Sequence, residues 1–224
     1  MKRYLVTAAT PFEMEAYGQY AGEDGSMRLV TGVGPVECCV RLTRSLMTST
    51  GGIRGVVNFG VAGAYFQPRG ESSPSLLDIC LARQEVFGDF GICMERHVED
   101  LAGNHLGATK TFVLDTELRR QAAAVLRRHG IVTRSGTFVT VCCASGTLRR
   151  GAMLADRYQA LCENMEGAAV ARVCAEFGLP CLEIRSVSNM VEDRDIGKWK
   201  LDQACEAAGR ATALVVAALE ENTL

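Results

Sequence analysis

Short apolar runs alternate along this chain with stretches whose apolar positions recur at helical spacing. Residues 3–9 (RYLVTAA), 27–31 (MRLVT) and 55–64 (GVVNFGVAGA) read as short buried strands, the last ending in small-residue breaks. Between them, Pro11 opens a helix to about Gly18 with Thr10 as its N-cap. A second helix runs from Pro35 to about Met47, with Val36, Val40, Leu42 and Leu46 as its candidate apolar positions. Residues 76–87, 109–113, 131–143, 160–165 and 181–188 give further strands. Asp115 caps a helix to about Arg128, ended by Gly130. Helices are also expected over 147–158, 166–177 and about 199–220. Residues 68–75 read as a loop on composition, and 95–107 as a loop or mobile excursion.

Strands alternating with helices imply a single α/β domain over residues 1–224. Its three layers would be a central mixed, largely parallel sheet flanked by helices on both faces. A chain of 224 residues suits one such domain, and no repeat, low-complexity tract or linker divides it. In such sheets ligands bind beyond the carboxyl ends of the strands. That rule picks out Ala9–Glu15, Gly32–Gly34, Asn58–Gly63, Val139–Gly146, Asn164–Glu166 and Ser188–Asp195.

Charge and composition narrow the choice of partner. A net charge of −2 with no Lys/Arg run argues against nucleic acid. The longest apolar run, Ala213 to Leu219, falls far short of a bilayer span, and no signal segment follows Met1, so a cytoplasmic protein is expected. Ten cysteines form no C-x-x-C pair and read as buried free thiols in a reducing compartment. There is no Walker-type phosphate loop, no third glycine after Gly32-Val33-Gly34, no G-x-S-x-G and no H-E-x-x-H. His97 and His105 lie in the polar excursion, and His129 sits at a helix C-terminus, so none falls at a strand end.

The segment that carries chemistry is ENMEGAAVARVC, residues 163–174. A strand delivers Asn164 and Met165 to the sheet's edge, and Glu166 stands at the mouth of a helix. A carboxylate there can accept hydrogen bonds from both hydroxyls of a vicinal diol. It can equally be an anion that only complements the helix dipole.

This segment resembles the M-E-G/A/T helix entry of the nucleoside phosphorylase/nucleosidase superfamily. Four further blocks resemble that family in its own order: TGVGPVECCVRL (31–42), VVNFGVAGAY (56–65) with its N-x-G-x-A-G-like turn, LLDICLARQEVFGDFG (76–91) and CLEIRSVSNMVEDRD (181–195). The resemblance implies a nucleoside phosphorylase-like fold. It gives Glu166 the ribose 2′ and 3′ hydroxyls with the Met165 backbone beside it, and puts Ala62 and Gly63 in the substrate-lining turn. It places Glu13 of ATPFEME where the family holds the carboxylate that positions or activates water. Glu15 competes on spacing, but a helix sets the two about 200° apart, which leaves Glu15 to solvent. The backbone at about Val141–Cys143 is expected to frame the base. Phe138 or Phe59 would stack on it or fill core.

Family phosphorylases hold phosphate with a Gly-Asp-Pro-x-Arg type turn and an arginine before the N-x-G-x-A-G-like turn; this chain has Ala9-Thr10-Pro11-Phe12-Glu13 and Asn58-Phe59 there. Glu13 would repel phosphate and suits a water nucleophile, so hydrolysis is expected, with Arg54 a solvated turn residue. The family's aminopurine nucleosidases, acting on methylthioadenosine and S-adenosylhomocysteine, carry Asp where this chain has Asn189. An Asn can donate to a 6-oxo group, which favours hypoxanthine or guanine; it can also merely cap local backbone. The run S-N-x-V-x-x-R-D, followed by Trp199, resembles the futalosine hydrolases. That implies release of hypoxanthine from futalosine on a menaquinone route, with the substrate's distal carboxylate met by Arg194 or Lys198 unless Arg194 pairs with Asp195. The resemblance implies no metal or other cofactor, a small-molecule nucleoside as substrate, and a homodimer or larger homo-oligomer. The rivals are a methylthioadenosine/S-adenosylhomocysteine nucleosidase, a purine nucleoside phosphorylase and a non-catalytic nucleoside binder.

Overall fold

The structure is a computed structural model that describes residues 3–22, 25–49, 52–67, 72–95, 97–101 and 109–221. In chain order the elements are β1 (Arg3–Ala8), α1 (Pro11–Ala21), β2 (Met27–Val30), α2 (Pro35–Thr48), β3 (Ile53–Ala64), β4 (Ile79–Phe87), β5 (Ile92–Cys93), β6 (Val98–Glu99), β7 (Thr111–Val113), α3 (Thr116–Arg128), β8 (Thr133–Thr140), α4 (Leu148–Tyr158), β9 (Ala160–Asn164), α5 (Gly167–Glu176), β10 (Cys181–Met190) and α6 (Leu201–Glu221), with a 3-10 turn at Ile196–Lys198 before α6. The main sheet runs β10-β4-β8-β9-β3-β1-β2, with β7 added to β4. Pairings β1–β2, β1–β3, β3–β10, β4–β8 and β8–β9 are parallel; β3–β9, β4–β7 and β4–β10 are antiparallel. This is the mixed, largely parallel sheet that the alternation of elements predicts.

Strand β3 does more than the sequence implies. Its first half pairs with β1, from Ile53 to Asn58, and its last residues, Gly63 and Ala64, pair with β9. Along its other edge it pairs with β10, from Val56 to Ala64. The sheet therefore closes on itself through β10, β4, β8, β9 and β3. The small residues Gly60 to Ala64 do not break the strand; they are its carboxyl half.

Neighbouring strand residues feed opposite layers, as the period of two requires. Leu5 and Val56 join a cluster with Cys38 and Leu42 of α2 and Ala168 to Cys174 of α5. Val6 and Val57 join one with Tyr17 of α1, Leu118 and Leu126 of α3 and Val215 and Val216 of α6. A third cluster puts Leu154 of α4 against Val139 and Val141. Helices α1 and α6 approach so closely that a Cβ on Gly209 would lie 2.7 Å from the Ala16 backbone. Phe59 and Phe138 are fully buried in the first two layers, which decides between core and stacking for both.

Several boundaries differ from expectation for local reasons. Helix α2 buries Cys38 and Leu42, whereas Val36 and Val40 lie on the opposite face, 74% and 61% exposed. Strand β4 starts at Ile79 because the Asp78 carboxylate accepts from the Ser75 amide and holds a turn there. Strand β8 ends at Thr140 because the Cys142 and Cys143 amides turn to the Asp89 carboxylate. Among the described residues of the polar excursion only β6 forms, pairing antiparallel with β5 just before it, and His97 pairs with Glu99; His105 lies outside the described residues. Arg54 lies within β3, half-buried, with its guanidinium over the Tyr4 ring. Six of the ten cysteines are buried and Cys39 is half-buried, but Cys93, Cys142 and Cys143 are exposed. Among the described residues no helix is long and apolar enough to cross a membrane.

Candidate active site

The carboxyl ends of β1, β3, β8, β9 and β10 open onto a cleft of about 210 Å³. Glu13, Ala62, Gly63, Val141, Met165, Glu166, Asn189 and Arg194, the eight residues singled out in the sequence, all line it.

Glu13 comes from the first turn of α1. Thr10 caps that helix, and a capping box closes it: the Glu13 amide donates to the Thr10 hydroxyl at 3.2 Å, and Glu13 Oε2 accepts from the Thr10 amide at 3.0 Å. The Thr10 hydroxyl also lies 2.8 Å from Oε2, and Oε1 accepts from the Val61 amide at 3.2 Å. The carboxylate is thus pinned between two strand ends and is only 5% exposed. Gly60 makes this possible, since a Cβ there would lie 2.4 Å from Glu13 Oε1 and 2.8 Å from Arg185 Nη1.

Glu166 is equally fixed. Asn164 Oδ1 accepts from the Glu166 and Gly167 amides at 3.0 and 2.7 Å, which sets the mouth of α5. Glu166 Oε1 accepts from the Gly34 amide across the cleft at 3.0 Å. Burial raises its carboxyl above the ordinary range, against the opposing pull of Arg185 and the Gly34 amide. Helix α5 does not use this side chain as a cap, and the carboxylate reaches across the cleft instead.

Arg185 was not singled out by sequence. Strand β10 is buried on both faces, so its period of two marks no site-facing residue. The guanidinium is 2% exposed; it donates from Nε to Glu183 at 2.8 Å and from Nη1 to the Val61 carbonyl at 3.2 Å. Its Nη2 stands 3.5 Å from Glu166 Oε2 and has no hydrogen-bond partner among the described residues. Burial alone would lower its pKa, but Glu183, Glu166 and Glu13 together raise it. Beneath it, Glu85 accepts from Asn164 Nδ2 at 2.5 Å and from the Thr140 hydroxyl at 2.8 Å. Burial, then the adjacent Glu183, pushes the Glu85 carboxyl far up, and Arg185 meets the Glu183 carboxylate.

At the other end of the cleft, Asn189 Oδ1 accepts from the Ser188 hydroxyl at 2.8 Å, and Nδ2 donates to the Met190 carbonyl at 3.2 Å. One N–H of that amide remains for a ligand. The frame expected from Val141 to Cys143 is shifted: Val141, Ala144 and Ser145 line the cleft, while the Cys142 and Cys143 amides serve Asp89. Arg194 does not pair with Asp195, whose carboxylate accepts from the Gly197 amide; its guanidinium lies 4.9 Å over the Trp199 ring. Lys198 is held by Glu192 at 2.9 Å and lies outside the cleft.

The Phosphorylase superfamily model matches residues 4–220, nearly the whole chain. The chain belongs to the phosphorylase superfamily. Within it, this superfamily member is 31% identical over 210 residues to the futalosine hydrolase of Thermus thermophilus, covering 92% of this chain and 88% of that one. It is 27% identical over 153 residues to the aminodeoxyfutalosine nucleosidase of Helicobacter pylori, covering 68% of this chain and 62% of that one. Its fold matches a solved futalosine hydrolase mutant of Helicobacter pylori with a TM-score of 0.82 at 20% identity, over 96% of this chain and 99% of that one. Among the described residues the one arginine buried in the cleft, Arg185, is surrounded by Glu13, Glu166 and Glu183.

Proposed function

We propose that this protein is a futalosine hydrolase: a purine nucleoside N-glycosidase that releases hypoxanthine and dehypoxanthine futalosine, on a menaquinone route. The observation that carries the reading is the pairing of two buried, pre-oriented carboxylates, Glu13 and Glu166, around Arg185 in the cleft that also holds the Asn189 amide. The kinship with the Thermus thermophilus futalosine hydrolase supports the choice of nucleoside.

The remaining valences suit hydrolysis. Glu13 has two acceptor positions filled on Oε2 and one on Oε1, which leaves one lone pair for a water proton. Glu166 keeps acceptor capacity on both oxygens, enough for the two hydroxyls of a ribose. The free N–H of Arg185 Nη2 beside Glu166 can hold the same water or a ribose oxygen. As the glycosidic C–N bond breaks, its electron pair goes to the purine, and Asn189 donates a hydrogen bond to the charge that gathers on N7 and O6. Water bonds to the anomeric carbon and passes its proton to Glu13. The base takes its proton from solvent. Three carboxylates around Arg185 disfavour a phosphate dianion in that place. Arg194, stacked on Trp199 at the cleft's rim, suits the distal carboxylate of the substrate.

The chain would act as one domain in the cytoplasm and as a homodimer or larger homo-oligomer. The exposed Val36 and Val40 on α2, near Val33 at the cleft, support the last point.

The test is futalosine in phosphate-free buffer. Hypoxanthine should appear at a rate that added phosphate leaves unchanged, with a free hemiacetal sugar as the second product. Strict dependence on phosphate, with a sugar 1-phosphate formed, would contradict the reading.

A further inference from the structure

A guanidinium and a carboxylate in full contact stand about 2.7–2.9 Å apart. Arg185 Nη2 and Glu166 Oε2 stand 3.5 Å apart, and Nη2 has no hydrogen-bond partner among the described residues. Both side chains are buried, so bulk water and salt screen their attraction little. Opposite charges left alone in such a place close up. Something holds the guanidinium back.

The restraint lies on the other side of Arg185. Nε donates to Glu183 Oε1 at 2.8 Å, and Nη1 donates to the Val61 carbonyl at 3.2 Å. Glu183 in turn cannot follow the guanidinium. Its Oε1 also accepts from Asn58 Nδ2 at 3.2 Å, and Asn58 Oδ1 accepts from the Thr7 hydroxyl at 3.0 Å, which ties the carboxylate to β3 and β1. Its Oε2 lies beside Glu85: a Cβ on Gly167 would stand 2.5 Å from Glu183 Oε2 and 2.1 Å from Glu85 Oε1, so glycine at the mouth of α5 leaves room for both carboxyls. The Glu85 carboxyl, pushed far up, keeps an O–H that can face Glu183 Oε2, an oxygen with no other partner among the described residues. Neutralising Arg185 does not require this arrangement, because Glu166 is already at hand. Burying a further carboxylate carries a desolvation cost that needs a reason.

We infer that Glu183 is a positioning residue that holds Arg185 off Glu166, so that the Glu166 oxygens stay open to the ribose hydroxyls and the Arg185 Nη2 group stays free. Without this tether, Nη2 closes on Glu166 and occupies acceptor capacity that the diol needs. The inference rests on the proposed nucleosidase reading for the use of Glu166, but the tether itself is read without substrate. The groups that face Glu166 are Arg185 and Glu183 from β10, Glu13 from α1, the Gly34 amide before α2 and the Cys38 thiol within α2. Burial, then Glu13 and Glu183, hold the Glu166 carboxyl up; Arg185 and the Gly34 amide pull it down. Removing the Glu183 charge and letting Arg185 close therefore both act downward.

The experiment uses Glu183→Gln, which keeps the shape of the side chain and removes its charge. On futalosine its kcat/KM should fall roughly 10- to 100-fold, the size of a lost hydrogen bond to a charged group. The acid limb set by Glu166 should also move to lower pH. A Glu183 that only completes the packing would reduce turnover and leave the limb in place; that result, or full turnover, overturns the inference. Nuclear magnetic resonance on protein carrying isotope-labelled arginine reads the tether directly. In wild type the Nη1 and Nη2 groups of Arg185 should give separate signals, because two anchors block rotation of the guanidinium, and in Glu183→Gln they should merge. If the variant fails to fold, the wild-type spectrum decides: a single averaged signal means a freely rotating group and overturns the tether. Wild-type protein that leaves futalosine intact refutes the proposed activity, and the Arg185 spectrum then decides the tether alone.

Discussion

Glu13 is held at three of its four acceptor positions, so replacing it by Gln preserves its size and some of its bonds while removing the base. Glu13→Gln should lower kcat by about 10²- to 10⁴-fold with KM changed only a few-fold. Full turnover in single-substrate kinetics would remove Glu13 from the water-activating role. Glu166 adds a pH signature. Its raised carboxyl must be ionised to accept both ribose hydroxyls, so kcat/KM should fall as pH drops through a limb above the ordinary glutamate value of about 4.3. Activity flat to below that value would mean that the ionised Glu166 is not needed. The legible residues were those at abrupt strand ends, such as Glu13, Glu166 and Asn189. Arg185 and Glu183 were missed because they sit inside a strand buried on both faces, where polar residues give no alternation to read.

The first turn of α1 shows how an element's own start signal is put to use. Thr10 and Glu13 form a capping box, so the bonds that begin the helix also aim the carboxylate into the cleft. Thr10→Ala should cost about 1 kcal/mol in thermal or denaturant unfolding and should also reduce kcat, because Glu13 Oε2 loses its hydroxyl partner. A stability loss with unchanged kcat would show that the backbone amides of residues 10 and 61 position Glu13 without the hydroxyl. Helix α3 behind Asp115 was readable to within a residue, whereas α1, also capped, runs to Ala21, past the expected end at Gly18. The apolar face of α2 was misjudged because Val36 and Val40 are hydrophobic yet stand opposite Cys38 and Leu42. Strand β4 was overextended because its leading leucines, Leu76 and Leu77, belong to the turn held by Asp78.

At the scale of the molecule, the site exists because β3 changes partner midway, from β1 to β9, while keeping β10 along its other edge. That switch closes the sheet and brings five strand ends to one cleft. Alternation of elements predicts a parallel sheet but not its closure, since closure depends on long-range register that no local pattern encodes. It is closure that sets Glu163 of β9 and Asn189 of β10 on either side of β3 in the cleft wall. The central claim is therefore best met by offering futalosine and methylthioadenosine side by side, without phosphate, and identifying the released base by chromatography. The account predicts hypoxanthine from futalosine and little or no adenine from methylthioadenosine. Efficient release of adenine, with futalosine left intact, would contradict it and make the protein an aminopurine nucleosidase.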